Sequence, residues 1–508
     1  MQSIIPTVLD GEWVGTIHMD GDDYHLGARF VARRQRITGS IDLPRRQAKR
    51  SELTRVTVVG DRMHFAWKRN GEKMIFDASL DGEQMRGDAR TGHDLYPFEL
   101  LHLATIDPPT RDRYSGAYEL APGQFLILWQ PSLSHAAWQA WNVDTGYLET
   151  LYPTSQTRFV SKPSFKDTSP PPAVVFHPSE VGRVERMTWI RAGTEPAFAE
   201  KIHLGRENVQ VSHGDVTLDA TLITPAEGEV YPAVVIVGDF AQRGFLYATY
   251  LACRGIAALG YAGRGFDAAD ATFADLADDA LAAATFLRHR EKIVAEHVGL
   301  WGLGAGRWIA PLAAARSRDV AFLVLFSPAL FTPAQTQLRT IEQVAHFMAT
   351  GPKMATSAEK SEKRQQRMDL WAQFYDLVRA RRRTDILDQA IKQARQNGSW
   401  KEGLPPRSKE LDTRNDRLFL LEPDYDPLEA LAAVYAPVLA YVFTEEDQHQ
   451  VQAAVRHASI PGASVRLLAL ADDMFVSATG WERLWPAFGQ IWTTMLQATT
   501  EWIHQQTA

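Results

Sequence analysis

The rhythm of hydrophobic and polar positions changes twice along the chain. From Gly11 to about Ile106, short runs alternate with period two or are continuously apolar: Trp13–Ile17, Arg36–Ile41, Val56–Val59, Met63–Trp67 and Met74–Ala78. The pairs Asp20-Gly21, Gly60-Asp61, Asn70-Gly71 and Asp81-Gly82 separate them. Such pairs reach the positive φ that a tight hairpin turn demands. This pattern predicts a small antiparallel sandwich or barrel with a structural or docking role. Asp107-Pro108-Pro109-Thr110 marks a boundary, so residues 1–107 form one module. Residues 108–206 read as a second β-rich module or a continuation of the first, with Phe125–Trp129 and Val174–Phe176 as its clearest strands. Ser169-Pro170-Pro171-Pro172 is a loop, because consecutive prolines cannot sit inside a sheet. No internal sequence repeat is visible.

Near Glu207 strands and helices begin to alternate. A hairpin over Val209–Ile223 turns at His213-Gly214-Asp215. Strands follow at Ala233–Val237, Gly255–Leu259, Val298–Trp301 and Val320–Phe326, with helices at Phe245–Ala252, Phe273–Arg288 and Gly306–Ala315 between them. This alternation predicts a parallel sheet with helices on both faces. It breaks off over residues 331–429, whose amphipathic stretches Ile341–Met348, Leu370–Arg383 and Ile386–Arg395 predict a helical cap. It resumes with a strand at Pro437–Phe443, a helix from about Gln448, a strand at Val465–Leu470 and a helix from about Glu482. Residues 207–330 and 430–508 thus form one α/β core that the cap interrupts.

Composition narrows the class. At 508 residues the chain is too long for one compact core. A net charge of −7 gives no nucleic-acid footprint, which needs a basic bias. A single cysteine, Cys253, excludes intrachain disulfides and cysteine-based structural zinc, and fits a reducing cytoplasm. The N-terminus shows no basic region followed by an apolar core, and no apolar run nears the ~20 residues of a membrane helix. A soluble, cytoplasmic protein is expected, with neither nucleic acid nor membrane as partner; a homodimer stays open.

The chemistry centres on His297–Ala315. An apolar strand ending at Trp301 passes through Gly302-Leu303-Gly304-Ala305-Gly306 into an Ala/Leu-rich helix. Strand, glycine turn and buried helix are the setting of the nucleophile elbow G-x-S-x-G, and Gly304 stands where its serine would be. With the phrases Pro232–Phe240, Ala252–Gly265, Phe273–Arg288, Asp424–Asp447 and Leu467–Gly480, the chain from Val209 onward, outside the insert, resembles the α/β-hydrolase superfamily. It is most similar to the dienelactone-hydrolase-like and acyl-peptidase-like esterases that carry an N-terminal β-domain. The resemblance implies an α/β-hydrolase fold and a Ser-His-Asp site, of which this chain keeps only part. The histidine position falls on Asp473, or on Asp472 if the alignment slips by one. The His-Gly pair before the oxyanion loop falls on Gly238-Asp239, and the triad acid on Asp447. Glycine has no atom with which to form an acyl-enzyme, and an aspartate cannot do the work of imidazole. An oxyanion hole survives such losses, because it uses backbone N–H groups, here those of Ala305 and of Asp239 or Phe240.

Each candidate has a plainer reading. Gly304 is either a site lost by drift or a widening of the site for a larger substrate. Asp447 is either the surviving acid or the N-cap of the helix that follows. Asp239, Asp447 and Asp473 are separate solvated carboxylates, or a close group in which one becomes a general base or acid, or oxygen ligands of a cation. Arg307 is a surface or salt-bridged side chain, or a group facing an acidic substrate. His346 is packed or exposed, or a replacement base; Cys253 is a small buried residue. Trp371, Trp481 and Trp485 could stack on a flat ligand at the cap or mouth, or belong to an aromatic core with Trp301 and Trp308. The run Arg379–Arg383 is a solvated helix face.

Three functions remain open. The first is a repurposed enzyme that binds a hydrophobic, aromatic or polyketide-like small molecule. It would catalyse C–C bond formation or cleavage, addition, cyclisation or cofactor-independent oxygenation, with Asp473 or Asp447 as base, a step of the kind other α/β-hydrolase folds are known to host. The second is a non-catalytic ligand-binding or scaffold protein. The third is residual hydrolysis by water activated at the carboxylates. None of the three calls for a cofactor or a metal.

Overall fold

The computed structural model describes residues 9–508 except 34–35, 44–47, 70, 131–136, 168, 239–243, 263–270, 337, 340–356, 380–388, 390, 394–421, 458–463 and 468–480; at 36, 48–49, 69, 357–364, 367, 378, 457, 467 and 481–490 it describes the backbone alone. The chain forms two compact units, Met1–Ile202 and His203–Ala508.

The first unit holds two closed barrels, so the sandwich alternative is set aside. Strands β1 (Gly11–Met19), β2 (Asp22–Arg33), β3 (Arg36–Leu43), β4 (Ala48–Val59), β5 (Arg62–Arg69), β6 (Glu72–Asp81), β7 (Gln84–Thr91) and β8 (Asp94–His102) follow one another as an antiparallel meander. β8 closes it by pairing with β1, Trp13 opposite His102. Successive strand residues face opposite sides, so Met74, Phe76 and Ala78 of β6 point inward while Lys73 and Asp77 are exposed. Inside, Phe65 and Phe76 stack at 4.6 Å and Phe98 meets Phe76 edge-on at 5.4 Å. At the first hairpin Asp20 and Gly21 both take positive φ, 54° and 81°, as a type I′ turn requires.

The proline boundary is itself a helix. α1 (Pro108–Tyr114) starts with proline at its first position and is capped by Asp107, whose carboxylate accepts from the Thr110 N–H at 2.9 Å. Its last residue, Tyr114, reaches into the second barrel and stacks on Phe176 at 4.0 Å. That barrel runs β9 (Gly116–Ala121), β10 (Gln124–Trp129), β11 (Trp138–Asn142), β12 (Tyr147–Pro153), β13 (Arg158–Val160), β14 (Ala173–Pro178), β15 (Val184–Ile190) and β16 (Ala197–Lys201), with β16 returning to β9. Tyr118, Trp138, Phe159 and Met187 fill it. Both interiors are packed cores. The architecture is therefore repeated although the sequence is not.

One carboxylate joins the barrels. Asp23 Oδ2 accepts from Ser164 Oγ at 2.7 Å and from the N–H groups of Phe165 and Lys166 at 2.8 and 3.2 Å. Its other oxygen lies 2.7 Å from His18 Nδ1. Burial opposes the charge, but the hydrogen bonds from Ser164, His18, Lys166 and Phe165 together hold the carboxyl below its ordinary value. Thr16 donates to the Pro163 carbonyl beside it at 2.5 Å, and Val14, Leu103 and Tyr152 form a small apolar contact.

The second unit is an eight-stranded sheet in the order β17-β18-β20-β19-β21-β22-β23-β24. β17 (Gly205–His213) and β18 (Val216–Thr224) form the leading antiparallel hairpin, and β18 runs antiparallel to β20 (Ala257–Tyr261). From β20 onward neighbours are parallel through β19 (Tyr231–Gly238), β21 (Ile293–Leu303), β22 (Leu323–Phe326), β23 (Val438–Val442) and β24 (Ser464–Leu467). This is the architecture expected of an α/β-hydrolase fold. Alternate strand residues go to opposite faces. Val235, Leu300, Leu325 and Ala440 pack under α3 (Phe273–Arg288), α4 (Gly306–Arg316) and α6 (Pro427–Ala432). Trp301 and Tyr441 face α2 (Phe245–Cys253) and α8 (Trp481–Gln506), where the Tyr441 hydroxyl bonds to Met495 O and Thr499 Oγ1, both at 3.0 Å. α3 opens with a complete capping box between Thr272 and Asp275.

Of the insert, α5 (Ser357–Arg379) is described, and it is one helix that includes the charged run Glu359–Arg367. The segments predicted helical at Ile341–Met348 and beyond Ala380 lie mostly outside the described residues. Trp371, Phe374, Tyr375, Ile391 and Ala334 form a core of the insert's own. Arg379 is not merely solvated: its guanidinium forks onto Asp424, with contacts of 2.8 and 2.9 Å. No described helix is long and apolar enough to cross a membrane.

The Asp23 junction makes a specific prediction. Asp23→Asn should lower the stability of the barrel unit by about 1–2 kcal/mol at neutral pH and speed amide exchange at Phe165 and Lys166. Because the folded pKa is depressed, this stability is present above the unfolded value near 4 and fades as pH falls through the folded one. The gap between the two proteins should therefore close in acid, read by hydrogen exchange and thermal melting.

Candidate functional site

The site grows from close backbone packing at the end of β21. A Cβ on Gly306 would lie 1.9 Å from the Val237 carbonyl oxygen, and one on Gly238 would lie 1.9 Å from that of Leu303. A Cβ on Gly302 would meet the Gly306 carbonyl at 2.7 Å. The outer glycines of the motif are thus there for steric reasons, pressing β19, β21 and the start of α4 together. Gly304 is different. It is exposed and has φ 55°, the left-handed region where a side chain is costly. The chain turns sharply here and presents bare backbone.

The first turn of α4 is closed by short-range bonds from the Arg307 N–H to Gly304 O at 3.3 Å and from the Trp308 N–H to Ala305 O at 3.1 Å. Ala305 is the N-cap residue, and no side chain caps this end. Its backbone N–H group is therefore placed beside Gly304 at the positive end of the helix. Arg307 lies over the Trp308 ring, 4.0 Å from its centroid. Its Nε is buried without a hydrogen-bond partner, and burial pushes the guanidinium pKa down to about 10. Trp308 is anchored in turn by its own Nε1 to Phe331 O at 3.4 Å, while the Tyr425 hydroxyl donates to Trp308 O at 3.3 Å.

Further along the carboxyl edge, α7 (Glu445–His457) follows β23. The reading of Asp447 as its N-cap is corrected: Thr444 caps the helix, its Oγ1 accepting from the Asp447 N–H at 3.0 Å. Asp447 is the third residue of the first turn and half-buried. β21 and β23 are separated only by β22, so the two strands lie about 10 Å apart by ordinary strand spacing, and Gly304 and Asp447 both follow their carboxyl ends. At the ends of β22 and β23 stands an aromatic group invisible in the sequence. Phe326 ends β22, Phe443 follows β23 at a ring distance of 5.3 Å, and Trp492 of α8 lies 6.3 Å from Phe326 and stacks on Tyr247 at 5.1 Å. Ser327, directly after β22, is a non-glycine residue at φ 53°.

Gly238, Gly304, Ala305 and Arg307 are thus brought together at one joint. Trp371 is not at a mouth; it is 5% exposed and packed against Phe374 and Tyr375 in the insert core. Trp301 and Trp308 are core residues, and Cys253 is half-buried on α2. Asp239, Phe240, His346, Asp472, Asp473 and the side chains of Trp481 and Trp485 lie outside the described residues. Among those described, no group of three or more His, Cys, Asp or Glu is placed to hold a metal.

No protein-family model and no curated protein matches the chain. Solved structures similar to it include dienelactone hydrolase from Anabaena variabilis, at 16% identity over 59% of this chain and 98% of that one, with a TM-score of 0.30. An α/β-hydrolase from a Penicillium species is similar at 14% identity over 57% and 100%, with a TM-score of 0.33. Esterase Est22 is similar at 12% over 59% and 81%, with a TM-score of 0.34. The fold assignment rests on the strand order and the elbow themselves.

The two kinds of glycine should separate in mutants. Gly306→Ala should cost about 3 kcal/mol or more, because backbone faces the new methyl group on a packed side. Gly304→Ala should cost only about 1–2 kcal/mol, the price of left-handed backbone at an exposed position. Urea denaturation followed by tryptophan fluorescence measures both.

Proposed function

We propose that this chain is an enzyme on a hydrolase fold that works without a nucleophile. It binds a hydrophobic, aromatic or polyketide-like small molecule over Gly304 and carries it through a non-hydrolytic, cofactor-free step. That step is C–C bond formation or cleavage, addition, cyclisation, or oxygenation with dioxygen as co-substrate. One observation carries the reading: Gly304 stands exposed at φ 55° at the tip of an elbow whose other glycines are fixed by packing. With no side-chain atom there, an acyl-enzyme cannot form.

The Ala305 N–H, with that of Phe240, serves in this reading to stabilise a developing oxyanion. Asp447 and Asp473 are its proton carriers, and Gly238 and Asp239 border the substrate. The half-buried rings of Phe326, Phe443 and Trp492 support a ligand of apolar, flat character.

A generic ester tests this directly. 4-Nitrophenyl acetate should not be turned over above background by the natural chain, and a serine-directed phosphonate should leave it unlabelled. The double substitution Gly304→Ser/Asp473→His should gain turnover and labelling. Robust turnover and labelling of the unaltered protein would overturn the reading. A bound small molecule found by native mass spectrometry and released unchanged after long incubation would place the chain among ligand-binding proteins instead.

A further inference from the structure

Arg307 is unusual among the arginines of its unit. Arg316 reaches Asp278 at 2.9 Å and the Ala274 carbonyl at 2.9 Å; Arg290 forks onto Glu207 at 2.6 and 2.8 Å; Arg288 donates to the Ala295 and Asp319 carbonyls at 2.8 and 3.1 Å. Arg307 is more withdrawn from water than a surface arginine, yet its contact is the face of the Trp308 ring, and its Nε is sealed without an acceptor. A cation-π contact covers the flat face of a guanidinium and leaves its edge N–H groups unanswered. Arg307 is also the second residue of α4, at the positive end of the helix, where a cation is electrostatically misplaced. Burial without an acid among the described residues, and a position that works against the helix dipole, are both costs.

The ring beneath it does not move out of the way. Trp308 is 3% exposed and tied at its indole nitrogen and its carbonyl. The guanidinium is thus supported on a fixed plane three residues from Gly304, whose carbonyl accepts the Arg307 N–H. Burial weakens but does not remove its charge at neutral pH, since the pKa is held near 10. A single half-buried planar fork matches a single planar anion with two oxygens.

We propose that Arg307 is the recognition group for a carboxylate on the ligand, so that the molecule bound over Gly304 is a hydrophobic carboxylic acid. This deepens the reading above and rests on it, because it requires that the elbow be a ligand site. Ligand oxygens would supply the acceptors that Arg307 lacks, and the apolar remainder would lie toward Phe326 and Trp492.

The experiment compares 2-naphthoate with its neutral isostere 2-naphthamide, titrated into the full chain and followed by tryptophan fluorescence and calorimetry. The natural protein should bind the acid about 10- to 100-fold more tightly than the amide, the range expected of a charge-assisted pair. Arg307→Gln and Arg307→Met should bring the two within about threefold, mainly by weakening the acid, with the amide little changed. Arg307→Lys, which keeps the charge but not the fork, should fall between. Thermal melting screens each variant for folding, and the ratio in the natural protein needs no variant at all. Equal binding of acid and amide by the natural protein, or a preference retained in Arg307→Gln, overturns the carboxylate assignment and leaves the ligand site standing. Failure of both ligands to bind overturns the site itself, and the assignment with it.

Discussion

The second unit depends on how closely two strands and a helix approach at one point. Carbonyl oxygens of Val237 and Leu303 occupy the space that side chains on Gly306 and Gly238 would need. This contact sets the angle at which α4 leaves β21, and so decides where Gly304, Ala305 and Arg307 stand. Protein interiors have little room to relax such a clash. Packing alone therefore accounts for the shape of this strand-turn-helix joint. The residue at the exposed left-handed position, Gly304, is not held by the packing that fixes Gly238 and Gly306 around it.

The fold was largely legible because its signals are local. Asp20-Gly21 and its counterparts mark real hairpins, and Phe273–Arg288 is a helix with the bounds its pattern predicts. The losses are also local in cause. The predicted strands omit β2, β7 and β8; in β7 the inward positions mix large and small residues, and Met85, Gly87 and Ala89 carry little hydrophobic rhythm. Whether the first strands close into a barrel depends on β1 meeting β8, a contact between residues far apart in sequence. α7 begins at Glu445 instead of near Gln448 because Thr444, and not Asp447, caps it.

The site was legible as a motif and not as an environment. Gly304 could be read from its flanking glycines. The state of Arg307 could not, because its burial and its lack of a partner among the described residues are properties of the folded neighbourhood. Nor could the ring group, since Phe326, Phe443 and Trp492 come from three separate segments. Trp371 shows the reverse error: an aromatic suited to a ligand serves the insert's own core.

The order in which strands find their partners has a consequence for how this protein is made. In both barrels each strand pairs with the next, and one closing contact completes the ring. Such short-range pairing is fast, and synthesis delivers these residues first. The sheet of the second unit cannot proceed that way. β22 needs β23, and the whole insert lies between them, so Leu323 waits for Val438 while the ribosome reads through residues 331–429. During that interval an apolar parallel strand has an open edge. The growing chain is most vulnerable to aggregation there, with its two barrels already complete and its central sheet half-built.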